Sequence, residues 1–483
     1  MMHVACSSCV EANRELPEAL ARIAELGFRH VDLFIIEGME HLRPSELAGE
    51  DRSIAAVGGA VAACGLTVSA LNCGFSVPFG EEASARAQIE REFAAMLRLA
   101  AEVECSMLTI YTSMGERRKG VNAMNSRERI RATLRGEAAD RMPLLGGFLV
   151  AQRHYCELAG ASDSEFDVDP EGVGIRAYRQ LGIDGLLLLR LPPGEEEHFT
   201  YRAMSKQDFL SYQARFRSPE DVRDWVLELP SPRDHLRAFP IGDWKDRFIA
   251  DFEEMQDRLG DIVWMPSQWD VVHPTFEWFN HFGYENYMLF LISYPEVADK
   301  LFGAEVETQR AISAALVDTY RRLDAIPLLH VGTDICGRDG PVISPAFLRQ
   351  YYFPHVRRCL EPLAEAGFAT VWHADGQFMP IADDILACGV SGFQGFQWEY
   401  GIDLAALVEK RTFDGKPLTL FAGPSTSATL PFGSKQMIGD EIRRTKEIAR
   451  GKCNLFFLPA SDILPDTPAD HIITAYTCAA AAD

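Results

Sequence analysis

Along the first 112 residues, short apolar runs alternate with longer stretches in which apolar residues recur every three or four positions. His3–Ser7, Val31–Ile36, Leu66–Asn72 and Met107–Thr112 read as strands, and Leu16–Leu26, Ile54–Cys64 and Arg86–Val103 read as helices. The alternation stops at Ser113, and Met114–Met124 is charged and aperiodic, as linkers are. It restarts at Asn125 with a helix for which Ser126 is the expected cap. Eight further strands are predicted: Pro143–Leu149, Gly185–Leu191, Ile262–Gln268, Pro327–Thr333, Ala369–Trp372, Gly392–Phe396, Leu418–Gly423 and Asn454–Pro459. Between them, Ser218-Pro219 and Ser344-Pro345 each set a hydroxyl before a first-turn proline, which marks a helix start. The expected fold class is α/β. A partial βα domain covers 1–113, a linker 114–124, and a (β/α)8 TIM barrel 125–483, with an insertion between Leu191 and Ile262.

At 47% hydrophobic and 24% charged residues the chain can bury a large core, which excludes disorder. Seventy acidic against 47 basic side chains leave a formal net charge of -23. Such a charge repels phosphate backbones and gives no pull toward anionic lipid, so neither nucleic acid nor membrane is an expected partner. The N-terminus has no basic segment followed by an apolar core, and no apolar run approaches the ~20 residues that span a bilayer, so a cytoplasmic protein is expected. The eleven cysteines are scattered singly apart from Cys6-Ser-Ser-Cys9, a pair that is either redox-active, half a metal site, or two ordinary thiols.

In a barrel of this kind chemistry collects where the strands end, because eight loops converge there over one rigid core. Polar side chains stand just beyond each predicted strand: Arg153 and His154, then Arg190, then Trp269, Asp270 and His273, then Asp334 and Cys336. The later strands lead to His373 and Asp375, Gln397 and Glu399, Ser425 and Thr426, and Ser461 and Asp462. In His373-Ala-Asp375 two side chains two apart on an extended segment point the same way. They act as metal ligands, or as a base with its orienting carboxylate, or else close the strand and cap the next helix. Asp334 is a further acid of the same mouth or the start of an Asp/Gly turn running to Gly340. Cys336 is a nucleophile if a base adjoins it and otherwise a small buried thiol. His273 lines the pocket or packs on Trp278, and Glu399 is a ligand or a solvated loop acid. The expected catalytic residues are His373, Asp375 and Asp334. The expected substrate contacts are Trp269, His273, Arg153, Gln397, Ser425 and Ser461, and the expected metal ligands are His373, Asp375, Glu399 and Asp462.

Asn125–Pro143 resembles the opening helix and first strand of the uroporphyrinogen decarboxylase (URO-D) superfamily. Gly340–Pro345, Leu430–Gly433 and Ile463–Pro468 resemble its later signatures, in the right order. The resemblance implies a TIM barrel and one of two chemistries: porphyrinogen decarboxylation, or methyl transfer between corrinoid proteins and small thiols or one-carbon donors. The decarboxylases grip propionates with an arginine-rich segment after the first strand, where Leu144–His154 holds only Arg153, so the methyltransferase-like branch is the better match. The thiol methyltransferases hold zinc with a His-x-Cys pair after the fifth strand and a cysteine after the eighth. The matching positions here are His373, Asp375 and Ser461. Loss of both thiolates speaks against thiol activation, whereas His373 and Asp375 with Glu399 or Asp462 make a harder donor set for a divalent ion, zinc among them.

The resemblance thus implies a corrinoid-linked methyltransferase or demethylase acting on a small methylated substrate, with the corrinoid carried by a partner protein. Two alternatives remain: a decarboxylase or lyase of a small carboxylic acid working through Asp334 or Asp375, and a non-catalytic ligand-binding barrel. The first 112 residues resemble half of a sugar-phosphate isomerase or epimerase (xylose isomerase-like) barrel, with Glu37 after the second strand. Such a half-barrel is expected to pack on the larger one or to complete itself in a homodimer.

Overall fold

The computed structural model describes residues 5–7, 15–35, 42–49, 51–73, 75, 83–110, 124–189, 191 and 213–481. Cys9, Glu37, Ser113, Arg190 and the linker residues 114–123 lie outside the described residues. The chain divides into two compact units, Met1–Gly120 and Val121–Asp483, and each is mixed α/β with parallel sheets. Among the described residues no helix is long and apolar enough to cross a membrane.

In the smaller unit, β1 (Ala5–Ser7), β2 (His30–Ile35), β3 (Thr67–Cys73) and β4 (Leu108–Ile110) pair in parallel and in sequence order. Helix α1 (Leu16–Glu25) forms because Leu16, Ala19, Leu20 and Ile23 recur on one buried face behind a first-turn proline. In β2, buried Val31, Leu33 and Ile35 alternate with half-exposed neighbours, so one face of the sheet meets the helices. The periodicity does not predict helix α2 (Pro44–Gly49), whose six residues are too few to display an apolar stripe.

The larger unit opens with a helix whose cap is Asn125 rather than Ser126. The Asn125 side chain accepts the Glu128 N–H at 2.9 Å, and the Glu128 carboxylate accepts the Asn125 N–H at 3.0 Å. Asparagine and serine cap equally well, so composition alone does not rank two adjacent candidates. Beyond it come β5 (Leu145–Gly146), β6 (Gly185–Leu186), β7 (Val263–Trp264), β8 (Leu328–Gly332), the short hairpin β9 (Cys336–Gly337) and β10 (Gly340–Pro341), β11 (Ala369–His373), β12 (Gly392–Gln394), β13 (Thr419–Ala422) and β14 (Asn454–Phe457). Several of these strands are much shorter than the apolar runs that contain them. A run marks burial, and its tail stays buried after leaving the ladder, as at Phe148 and Leu149 beyond Gly147.

Strands β5-β6-β7 make one parallel sheet, and β8-β11-β12-β13-β14 make another. The two meet on both flanks. Beyond β7, Gln268 donates its N–H to the His330 carbonyl at 2.8 Å. On the other side Phe457 donates to the Pro143 carbonyl at 2.9 Å, next to a parallel bridge between Leu144 and Phe457. Leu145, Val263, Leu328, Val371, Phe421 and Phe456, from six different strands, share one buried cluster.

At the amino ends of these strands a buried ionic network replaces apolar packing. Asp184 is 1% exposed and accepts from Arg129, from Arg141 at 2.6 Å and from the Leu144 N–H at 2.8 Å. Arg129 also reaches Asp140 at 2.6 Å. The opening helix, β5 and β6 are thereby fixed to one another. In the long second connection, helices Pro219–Leu227, Pro232–Ala238 and Ile241–Leu259 supply the expected insertion, and Ser218 caps the first of them.

Candidate metal centre

Strands β8 and β11 run side by side, and Gly332 pairs with His373 at their carboxyl ends. Gly332 has a positive φ of 144°, and a β-carbon there would meet the His373 carbonyl oxygen at 2.2 Å. Only glycine permits this approach, which brings the residues just after β8 beside the last residue of β11. Asp334 Oδ1 accepts the Asp375 N–H at 3.1 Å. His373 Nε2 then lies 3.8 Å from Asp334 Oδ1 and 3.6 Å from Asp375 Oδ1.

The other nitrogen of the same ring decides what Nε2 presents. Gln394, on β12, offers its side-chain oxygen to His373 Nδ1. Its amide nitrogen donates to the Pro459 and Ala460 carbonyls at 2.9 and 2.7 Å. Carbonyls only accept, so the amide orientation follows from the network, and Nδ1 must carry the proton. In the neutral ring, Nε2 then turns a lone pair toward the two carboxylates. Phe148 stacks on His373 at 5.9 Å and Trp269 lies 5.0 Å away at 53°, so the imidazole is 5% exposed while Asp334 and Asp375 keep 43% and 37%.

Asp334, His373 and Asp375 each bring one donor atom within 4.8 Å of the other two. Two donors about 2.1 Å from a shared ion stand about 3.4 Å apart at the tetrahedral angle, close to the two separations found here. Asp375 Oδ1 is buried with no hydrogen-bond partner, whereas Oδ2 accepts the Ser461 hydroxyl at 2.9 Å. Burial pushes the Asp375 carboxyl above its ordinary range; His373 opposes this, and the charges of Asp334 and Asp462 add to it. A divalent cation would satisfy the orphaned oxygen and the facing charges together. One imidazole and two carboxylates suit zinc or a harder divalent ion, and three protein donors leave positions open for a ligand.

The remaining expected residues divide sharply. Ser461 touches Asp375 and Trp269 covers His373, but Glu399 and Asp462 fall outside the donor group. Glu399 Oε1 accepts hydroxyls from Ser425, at 2.7 Å, and from Ser427. Ser425 is itself fully buried and gives its N–H to Glu441. Gln397 accepts the Gly376 N–H at 3.0 Å and so holds the loop beyond Asp375. Arg153 is exposed on a helix and donates to the Thr467 carbonyl at 2.6 Å, as buried His154 does at 2.7 Å. Burial pushes the Cys336 thiol up to about 12, which rules out a resting thiolate nucleophile.

His273 does not line a pocket: it is fully buried, donating from Nδ1 to the Pro274 carbonyl and accepting the Gly332 N–H at Nε2. Burial pushes this imidazole down from 6.5 to about 4. The unfolded chain takes up the proton near pH 6.5 while the folded chain resists until about pH 4, so stability is full above that window and falls as pH drops through it. The whole window is worth about 3 kcal/mol. Urea midpoints at pH 7 and pH 5 are expected to separate more for the native protein than for His273→Gln; equal separations would remove His273 from the acid response.

Two residues that contact the donor group, Gln394 at His373 Nδ1 and Glu277, which accepts the Asp334 N–H at 3.2 Å, are not marked in the sequence. Gln394 is the last residue of β12 and Glu277 lies well past the end of β7, and neither position carries a chemical signature.

No family model matches the sequence, and no curated protein matches it. Among solved structures the chain is similar to a methyltransferase from Methanosarcina mazei, with 17% sequence identity and a TM-score of 0.49, over 74% of this chain and 98% of that one.

Proposed function

We propose that the larger unit is a closed (β/α)8 barrel of the uroporphyrinogen decarboxylase type, and that it is a metal-dependent methyltransferase or demethylase of small methylated compounds. The order of its eight parallel strands and the hydrogen bonds on both flanks of the two sheets support the barrel. The signature segments named above support the superfamily. One observation carries the chemistry: the Nε2 of a histidine, whose ring is fixed through Nδ1 by Gln394, faces two carboxylates of which one oxygen is buried and unpartnered.

Asp334, His373 and Asp375 would hold the ion, which when bound supplies Lewis-acid polarisation of the heteroatom that carries the methyl group. Gln394 keeps the imidazole in the ligating tautomer. Ser461 donates to Asp375 Oδ2 and leaves Oδ1 for the ion, while Phe148 and Trp269 shield the imidazole from water. The methyl acceptor is a corrinoid on a partner protein, which supplies the electron pair for the new bond while the pair of the broken bond stays on the leaving atom. With oxygen donors in place of thiolates, the substrate class is a methyl ether or similar compound rather than a thiol.

The test is methyl transfer from a panel of methylated compounds to added cob(I)alamin, with metal content measured on the same preparation. Methylcobalamin formation by metal-loaded protein is expected. A metal-free protein that releases carbon dioxide from a carboxylic acid instead would replace this reading with the lyase. Gln394→Leu is expected to weaken zinc binding by about 10- to 100-fold, as removal of such a supporting partner does; unchanged affinity would remove the tautomer argument.

A further inference from the structure

Glu277 is a half-buried acid on the loop after β7, outside the three-residue donor group. Its Oε1 accepts the Thr333 hydroxyl and the Asp334 N–H, both at 3.2 Å. The Trp269 side chain adjoins the same carboxylate and holds its pKa down, and its indole is the ring lying 5.0 Å from His373. Thr275 fixes the acid from behind by accepting its N–H at 3.0 Å. Burial and the charge of Asp334 push the carboxyl above its ordinary range, opposed by these donors. Asp270, next to Trp269, has a left-handed backbone at φ 56°, a conformation that lasts only where its surroundings hold it.

One carboxylate thus joins three strand ends: the loop after β7 that carries the indole, the loop after β8 that carries Asp334, and the imidazole on β11 beneath the indole. We infer that Glu277 is a positioning residue that braces Asp334 and the Trp269 ring about His373. The brace is a matter of geometry alone, and its effect on metal affinity rests on the metal reading given above. Glutamine at this position keeps the accepting oxygen, whereas alanine removes it, so the two substitutions separate the hydrogen bonds from the side chain's charge.

The experiment uses the full-length chain with nitrogen-15 tryptophan, the Trp269 indole resonance being identified by its loss in Trp269→Phe. In Glu277→Ala that resonance is expected to shift and its proton to exchange faster; in Glu277→Gln it stays close to the native position. Titration of metal-free protein with zinc is expected to show affinity reduced about 10- to 100-fold in Glu277→Ala and about threefold or less in Glu277→Gln. An unmoved indole in Glu277→Ala overturns the brace. A shifted indole with native zinc affinity in Glu277→Ala overturns its role at the centre. If the native chain binds no zinc, the metal reading falls by itself, and the indole signal alone decides whether the brace exists.

Discussion

Replacing His373 by alanine is expected to leave a folded protein that no longer retains a divalent ion and transfers methyl groups on the order of a thousandfold more slowly. The magnitude follows from the several kcal/mol that a Lewis-acid ion contributes to a transition state, at about 1.4 kcal/mol for each tenfold in rate. His373 is the one nitrogen donor of its group, and it stands between two carboxylates on its Nε2 side. Without it, Asp334 and Asp375 keep their mutual hydrogen bond but lose the lone pair that completes a three-point site. The loss of fold stability is expected to be modest beside this, because Phe148 and Trp269 remain to cover the vacated space. Metal analysis and transfer rate, measured on native and His373→Ala protein together, decide the matter: two metal-free, equally active preparations would end the proposal.

The second large effect is on stability and lies at the other end of the strands. Asp184→Ala is expected to lower the unfolding free energy by about 3–5 kcal/mol, the usual cost of removing one member of a buried ionic group. The substitution strips Arg129, 8% exposed, and Arg141 of a shared partner and leaves the Leu144 N–H without its acceptor. Urea unfolding measures it directly, and a change under about 0.5 kcal/mol, the scale of an ordinary surface substitution, would show that the network contributes nothing net.

What was legible in the sequence, and what was not, has physical reasons. Strands are legible because a strand buried on both faces is mostly apolar, so Leu328–Gly332 and Thr419–Ala422 stand out as runs despite His330 and Thr419. The His373 and Asp375 pair is legible because period two places both side chains on one side of an extended segment. A polar residue just past a run is far less informative, since the run does not say which way the next side chain turns. His273 turns inward to backbone groups, Arg153 outward to a carbonyl, and Glu399 sideways to two serines. Gln394 and Glu277 were illegible for another reason: each acts through a partner brought from another strand, and such pairings exist only once the strands are assembled. Asp184, between two glycines one residue away on either side of Ile183 and itself, looks like turn chemistry until the two arginines arrive.

The Gln394 amide has one more consequence. Both of its hydrogens are spent on carbonyls that lie just past β14, so the direction in which this side chain is read depends on how the last strand ends. If that segment were displaced, the amide would be free to rotate by half a turn and present hydrogens to the imidazole. The ring proton would then move to the opposite nitrogen and point at the two aspartates as an ordinary hydrogen-bond donor. An alteration some 65 residues along the chain from Gln394 would in this way exchange an ion-accepting pocket for a self-satisfied one, with no ligand residue changed.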